Sequence, residues 1–173
     1  ADRERLLGYL EGTGRSILPE PDVLLTTTPK VTGLDGRKMS KSYGNTIGLR
    51  EDPDAVAAKL KTMQTDPARV RRTDPGDPDK CPVWDLHKIY SGADVQAWVQ
   101  QGCRSASIGC LECKKPLIER VVEEVTTMRQ RAQEYEDNPD LVRGIISEGC
   151  EKAREVAGMT LADVKQAIGL AYR

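Results

Sequence analysis

The sequence predicts a mainly α-helical protein, with the last helix and strand of an α/β layer at its N-terminal end. Three observations support this fold class. Beyond residue 51 apolar residues recur every three or four positions, a short β-prone run follows two prolines near the start, and a glycine-flanked basic loop follows that run. The natural division is 1–50, holding the helix, strand and loop, and 51–173, holding a helical region.

In chain order, Leu6, Leu7 and Leu10 lie at helical spacing and stop at Gly12 and Gly14, which predicts a helix over 3–11. Val23-Leu24-Leu25-Thr26-Thr27, after Pro19 and Pro21, reads as the last strand of a sheet. The basic loop then sits at the strand's end, where ligands bind in open α/β sheets. Asp52-Pro53 opens a helix with a cap followed by proline at the first position, and Val56, Leu60 and Met63 give it an apolar face. Residues 74–82, rich in Pro and Asp, predict a loop, followed by short helices over 83–90 and 94–101. From Pro116, Leu117, Val121, Val125, Met128, Ala132 and Tyr135 advance by three or four and stop before Asn138-Pro139. Asn138 caps a further helix burying Leu141, Val142, Ile145 and Ile146. A last helix is expected from Thr160-Leu161-Ala162-Asp163, near a capping box, with Leu161, Val164 and Ile168 inward.

Bulk properties narrow the function classes. Over 173 residues, 38% hydrophobic and 31% charged describe a soluble globular chain, and the aromatics are two tryptophans and five tyrosines with no phenylalanine. No run approaches the ~20 apolar residues of a membrane span. The start, Ala1-Asp2-Arg3-Glu4-Arg5, has no signal-peptide character, so a cytoplasmic location without membrane association is expected. A net charge of −1 argues against a general nucleic-acid coat, yet residues 30–41 gather Lys30, Arg37, Lys38 and Lys41 against Asp35 alone.

That segment, Gly33-Leu34-Asp35-Gly36-Arg37-Lys38-Met39-Ser40-Lys41-Ser42-Tyr43-Gly44-Asn45, reads as a mobile clamp for a polyphosphate. Lys38 and Lys41 can neutralise charge that develops on departing pyrophosphate, and Ser40 and Ser42 add hydroxyl donors. Asp35 is placed to steady Arg37 or Lys38. The alternative is an exposed basic loop with no ligand.

Four of the five cysteines, Cys81, Cys103, Cys110 and Cys113, follow a Cys-x21-Cys-x6-Cys-x2-Cys arrangement. In a reducing compartment such a set converges on zinc or an iron–sulfur cluster, or stays as free thiols. Gly102 and Gly109 precede two of them and are expected to turn backbone N–H groups towards sulfur. Cys150 reads as an ordinary buried or half-buried thiol, His87, the single histidine, as structural, and Trp84 and Trp98 as core residues. Arg69, Arg71 and Arg72 have two readings, ion pairs with Asp74 and Asp77 or contacts with an RNA or a nucleotide. Arg104, Lys114 and Lys115 read equally as an RNA phosphate contact or a solvated face.

The pentapeptide Lys38-Met39-Ser40-Lys41-Ser42 resembles the second signature of class I aminoacyl-tRNA synthetases. With the approach from Pro19-Glu20-Pro21 to Pro29-Lys30, the run Arg71-Arg72-Thr73-Asp74-Pro75-Gly76-Asp77-Pro78 and the cysteine segments, nearly the whole chain is similar to bacterial tryptophanyl-tRNA synthetases. The resemblance implies an incomplete α/β nucleotide-binding domain over 1–50 and an anticodon-binding helical region over 51–173. It implies ATP, with Mg2+, bound through Lys38, Met39, Ser40, Lys41 and Ser42, with Lys38 and Lys41 catalytic. It further implies tryptophan and tRNA(Trp) as partners and a homodimer at full length. The family's His-x-Gly-His signature is missing, so the chain resembles a C-terminal half, expected to be inactive alone. Some members carry a similar quartet holding a [4Fe-4S] cluster, although the first gap here is one residue shorter. Zinc is the alternative. Two other readings stay open: a non-enzymatic, metal-stapled helical module binding RNA or protein, and a relative of tyrosyl-tRNA synthetases.

Overall fold

The computed structural model describes Leu18 and residues 21–170. Among these, five α-helices form: α1 (Pro53–Thr62), α2 (Pro82–Tyr90), α3 (Ala93–Arg104), α4 (Cys110–Asp137) and α5 (Pro139–Ala167). The expected helix over 3–11 lies outside the described residues. The chain divides into two compact units, one of residues 25–137 and one of residues 1–24 with 138–173.

In the larger unit three of the four helix starts have a local cause. The Asp52 carboxylate accepts from the N–H groups of Asp54 and Ala55 at 3.0 and 3.3 Å, with Pro53 at the first helical position. Pro82 opens α2 directly after Cys81. At α4 the Glu112 carboxylate accepts from the N–H of Gly109, while the Gly109 carbonyl accepts from Cys113 N–H at 2.9 Å. Glutamate three residues into a helix, reaching back to the cap, is half of a capping box. This cap lets α4 begin at Cys110 rather than at Pro116, which sits inside the helix.

The core follows from the apolar stripes. Val56 and Leu60 of α1 with Met63, Val83 and Leu86 of α2, and Leu117, Val121 and Val125 of α4 form one buried cluster. Full burial of such side chains contributes about 1.5–3 kcal/mol each. The same cluster takes Val31, Leu34 and Ile47 from the basic loop and its flanks, and Cys81 and Cys113 from the quartet. Loop and cysteines therefore rest on one core.

Four expectations are corrected. Residues 23–27 form no strand: Val23, Leu24 and Leu25 are exposed, and the described residues hold no ladder partner for them, only an isolated bridge between Thr32 and Lys38. The two helices expected after Asn138 are one. Asn138 does cap it, accepting from Leu141 N–H at 3.2 Å, but the Thr160 hydroxyl bonds back to the Val156 carbonyl at 3.1 Å instead of starting a new helix. In α5, Ile145, Ile146 and Leu161 are exposed rather than buried, as is Ile168 just after it. Trp84 is in the core as expected, whereas Trp98 is exposed, on the outer face of α3.

Candidate phosphate loop and cysteine site

The basic loop is tied down by one buried side chain. Asn45, 3% exposed, donates from Nδ2 to Asp35 Oδ1 at 2.7 Å and to the Lys38 carbonyl at 3.2 Å, and accepts from Ser40 N–H at 2.8 Å. Its backbone carbonyl accepts from Leu34 N–H at 3.1 Å. The turn closes through Gly33 N–H on the Arg37 carbonyl at 2.7 Å, and Met39 N–H meets the Val31 carbonyl at 2.9 Å. Gly44, at φ 65°, ends a single 3-10 turn over Lys41–Tyr43.

Two links carry the loop to the helices. Thr32 Oγ1 donates to Asp85 Oδ2 of α2 at 2.8 Å, and Gln64 N–H, just past α1, donates to the Leu34 carbonyl at 3.1 Å. Both links leave the loop from its N-terminal side.

Its charges are sorted. Arg37 pairs with Asp35 at 2.6 Å and stacks over the Tyr43 ring at 4.3 Å. Asp35 therefore steadies Arg37, one of the two partners expected, and the Asn45 hydrogen bond, with Arg37 beside it, holds the Asp35 carboxyl down at about 2. Lys38 and Lys41 are both exposed and, among the described residues, neither has a carboxylate partner. Ser42 is also exposed, while Met39 and Ser40 are half-buried. The arrangement presents two free ammonium groups, three residues apart, on a braced backbone. Chemically it can receive a polyphosphate. Asn45, which organises it, carries no sequence signal beyond its place just after Gly44.

The four cysteines come from three elements. Cys81 precedes α2, Cys103 lies in the last turn of α3, and Cys110 and Cys113 occupy the first turn of α4. They share one neighbourhood. Burial, then the charges of Cys81, Cys103 and Cys110, push the Cys113 thiol up to about 12, and burial with the neighbouring Cys81 and Cys110 raises Cys103. Among the described residues no three His, Cys, Asp or Glu side chains are closed to metal-ligand geometry.

Around this quartet lie residues that local sequence did not reveal. Gly76 is required by close approach, because a Cβ there would stand 2.6 Å from Cys103 Sγ. His87, fully buried, meets Ser91 Oγ at 2.7 Å through Nδ1, and through Nε2 the Cys113 carbonyl at 3.2 Å and Cys113 Sγ at 3.5 Å. Arg69 reaches Cys103 Sγ from Nη1 at 3.8 Å. The glycines expected to serve the sulfurs act otherwise: Gly109 gives its N–H to Glu112, and Gly102 makes room for Ile108, whose side chain a Cβ would meet at 2.8 Å. Arg72 pairs with Glu112 at 3.1 Å rather than with Asp74 or Asp77, and Arg71 meets Asp74 only through its backbone N–H. Arg104 pairs with Asp79 at 3.1 Å, Lys115 is exposed, and Lys114 is buried. Cys150 is exposed, contrary to expectation: no residue of α5 is buried.

A Lys-Met-Ser-Lys-Ser loop braced on a helical unit places the chain among class I aminoacyl-tRNA synthetases. A profile described as tRNA synthetases class I (W and Y) matches residues 7–126, and the chain belongs to that family. It is 61% identical over 171 residues to a tryptophan–tRNA ligase of Ralstonia nicotianae, covering 99% of this chain and 43% of that one. It is 42% identical to the tryptophan–tRNA ligase of Thermotoga maritima, covering 90% of this chain and 48% of that one. A crystal structure of tryptophanyl-tRNA synthetase from Campylobacter jejuni, complexed with ADP and tryptophan, superposes with a TM-score of 0.72 at 25% identity, covering 98% of this chain and 52% of that one. The chain thus spans about half the length of the relatives it matches. No described helix is long and apolar enough to cross a membrane.

Proposed function

We propose that this chain is the C-terminal part of a tryptophan–tRNA ligase, which activates tryptophan with ATP and Mg2+ to the adenylate and transfers it to tRNA(Trp). The observation that carries the reading is the pair of ammonium groups of Lys38 and Lys41, without a carboxylate partner among the described residues, on a loop braced by Asn45. As the α–β phosphate bond breaks, negative charge grows on the leaving pyrophosphate, and these cations meet it with little reorganisation of the backbone. Met39, Ser40 and Ser42 shape the loop and contact phosphate or ribose. Residues 1–50 close the catalytic domain, and residues 51–173 contact the tRNA anticodon. The tryptophan pocket and the first ATP signature belong to the other half of a cytoplasmic, homodimeric enzyme.

Cys81, Cys103, Cys110 and Cys113 would hold a [4Fe-4S] cluster, or zinc in its place. The donor set fits: four soft sulfurs share one neighbourhood, and the thiols of Cys103 and Cys113, raised by burial first and then by neighbouring cysteine charge, would become good ligands once a metal neutralised them. Bound there, the group supplies a structural staple among α2, α3 and α4, because adenylate formation moves no electrons.

The test is tryptophan-dependent ATP–pyrophosphate exchange by the complete gene product. Exchange with tryptophan and none with tyrosine is expected. A folded protein inactive with both amino acids would leave a non-enzymatic helical module as the better account.

A further inference from the structure

Two cations are buried beside the cysteines, and among the described residues neither makes an ion pair with a carboxylate. Arg69 is 8% exposed and Lys114 is 4% exposed. Arg69 gives Nη2 to the carbonyls of Ile108 and Arg72 at 2.6 and 2.8 Å, turns Nη1 to Cys103 Sγ at 3.8 Å, and keeps a buried Nε with no partner. Lys114 gives Nζ to the carbonyls of Lys61 and Met63 at 2.8 and 2.5 Å. The carboxylate of Asp66 acts on Arg69 without forming an ion pair with it, and its oxygens are taken by the N–H groups of Ala68 and Asp77.

Carbonyl dipoles satisfy the donors but do not cancel the charge. A buried cation without a counter-charge costs several kcal/mol. Sulfur stands beside each: Arg69 Nη1 meets Cys103 Sγ at 3.8 Å, and Lys114 directly follows Cys113 at the start of α4, where the charges of Cys110, Cys81 and Cys113 reach it. Four thiolates around Zn2+ or a [4Fe-4S]2+ core leave two net negative charges, which two cations balance. The space is built for this contact, since a Cβ at Gly76 would meet both Cys103 Sγ, at 2.6 Å, and Arg69 Cδ, at 3.2 Å.

We propose that Arg69 and Lys114 are the built-in counter-cations of an anionic metal–thiolate group held by Cys81, Cys103, Cys110 and Cys113. This rests on the reading of the quartet as a metal site. Neither residue touches the metal. Both are positioning residues that stabilise the charge its ligands carry.

The test uses the complete gene product, reduced and metal-free, titrated with Co2+ against a competing chelator and followed by thiolate-to-cobalt absorption. Arg69→Gln and Lys114→Met are each expected to weaken Co2+ binding by about tenfold or more, and Arg69→Lys to restore most of it. After iron–sulfur reconstitution, the neutral variants should show a lower reduction potential than the wild type and Arg69→Lys should recover it, a signature that lost packing alone does not produce. Unchanged affinity in folded Arg69→Gln overturns the proposal. So does an equal loss in Arg69→Lys, which points to hydrogen bonding rather than charge. Should Arg69→Gln fail to fold, Lys114→Met decides. If the wild type takes up neither Co2+ nor a cluster, the metal reading fails first and this inference with it.

Discussion

The side chain of Asn45 lies against Gly33: a Cβ built on that glycine would stand 2.3 Å from Asn45 Nδ2. A residue before the signature and a residue after it thus fix one another. Asn45→Ala removes bonds to Asp35, Lys38 and Ser40, each worth about 0.5–1.5 kcal/mol net. Gly33→Ala displaces the same side chain without deleting it. Both variants of the complete enzyme should raise the KM for ATP and lower the rate of pyrophosphate exchange, while tryptophan affinity, measured by equilibrium binding, stays close to wild type.

Among the described residues the Lys41 side chain has no partner to lose. Lys41→Ala should therefore slow adenylate formation by about 100-fold, the scale for removing one donor to developing charge, with a much smaller effect on tryptophan affinity. Single-turnover kinetics separate the two. Equal losses in both would remove the leaving-group role.

Acid should release the loop brace in a defined window. Asp35 is held at about 2 in the folded protein, against 3.8 for a free carboxyl, by Asn45 first and then by Arg37. A folded pKa below the unfolded one means stabilisation that is complete above about pH 4 and is lost as pH falls towards 2. NMR titration of the Arg37 amide, which donates to Asp35 Oδ1 at 3.0 Å, should show a midpoint near 2. A midpoint near 3.8 would mean the brace is not formed in solution.

Leu117 is fully buried where α4 meets α1. Truncation to alanine should cost about 2–5 kcal/mol, the range for a buried leucine. The shift in denaturation midpoint of the complete protein measures it, and a change below about 0.5 kcal/mol would place Leu117 outside the core.

Metal removal should act regionally. Chelation in the complete protein is expected to speed amide exchange over 81–113, where three elements meet at the cysteines, and to leave α1, capped by Asp52 and packed through Val56 and Leu60, nearly unchanged. Uniform acceleration across both would argue against a local staple.

What could be read from the sequence was what neighbouring residues decide among themselves. Asp52-Pro53 announced α1, Asn138-Pro139 announced α5, and the pentapeptide announced the loop. What could not be read depends on contacts between distant residues. The early start of α4 needs the Gly109–Glu112 cap, hidden inside a segment that looked like a loop because of its cysteines. Thr160 looked like a cap, yet a threonine hydroxyl can equally bond back along a helix, and here it does. The run at 23–27 has β-forming residues, but a strand exists only beside another strand. Arg69 and Lys114 look like any surface cation in sequence, and only the fold turns them inward.

The 28 residues of α4 make one unbroken rod about 42 Å long. Cys110 and Cys113 sit at one end, and near the other Glu136 holds Arg50, just beyond the basic loop, at 2.5 Å. Such a strut cannot tilt at one end alone. Swinging it by about 5° about its cysteine end would carry the far end some 4 Å sideways, more than the length of a hydrogen bond. Whatever anchors the sulfurs therefore also sets the footing of the segment that follows Ser42.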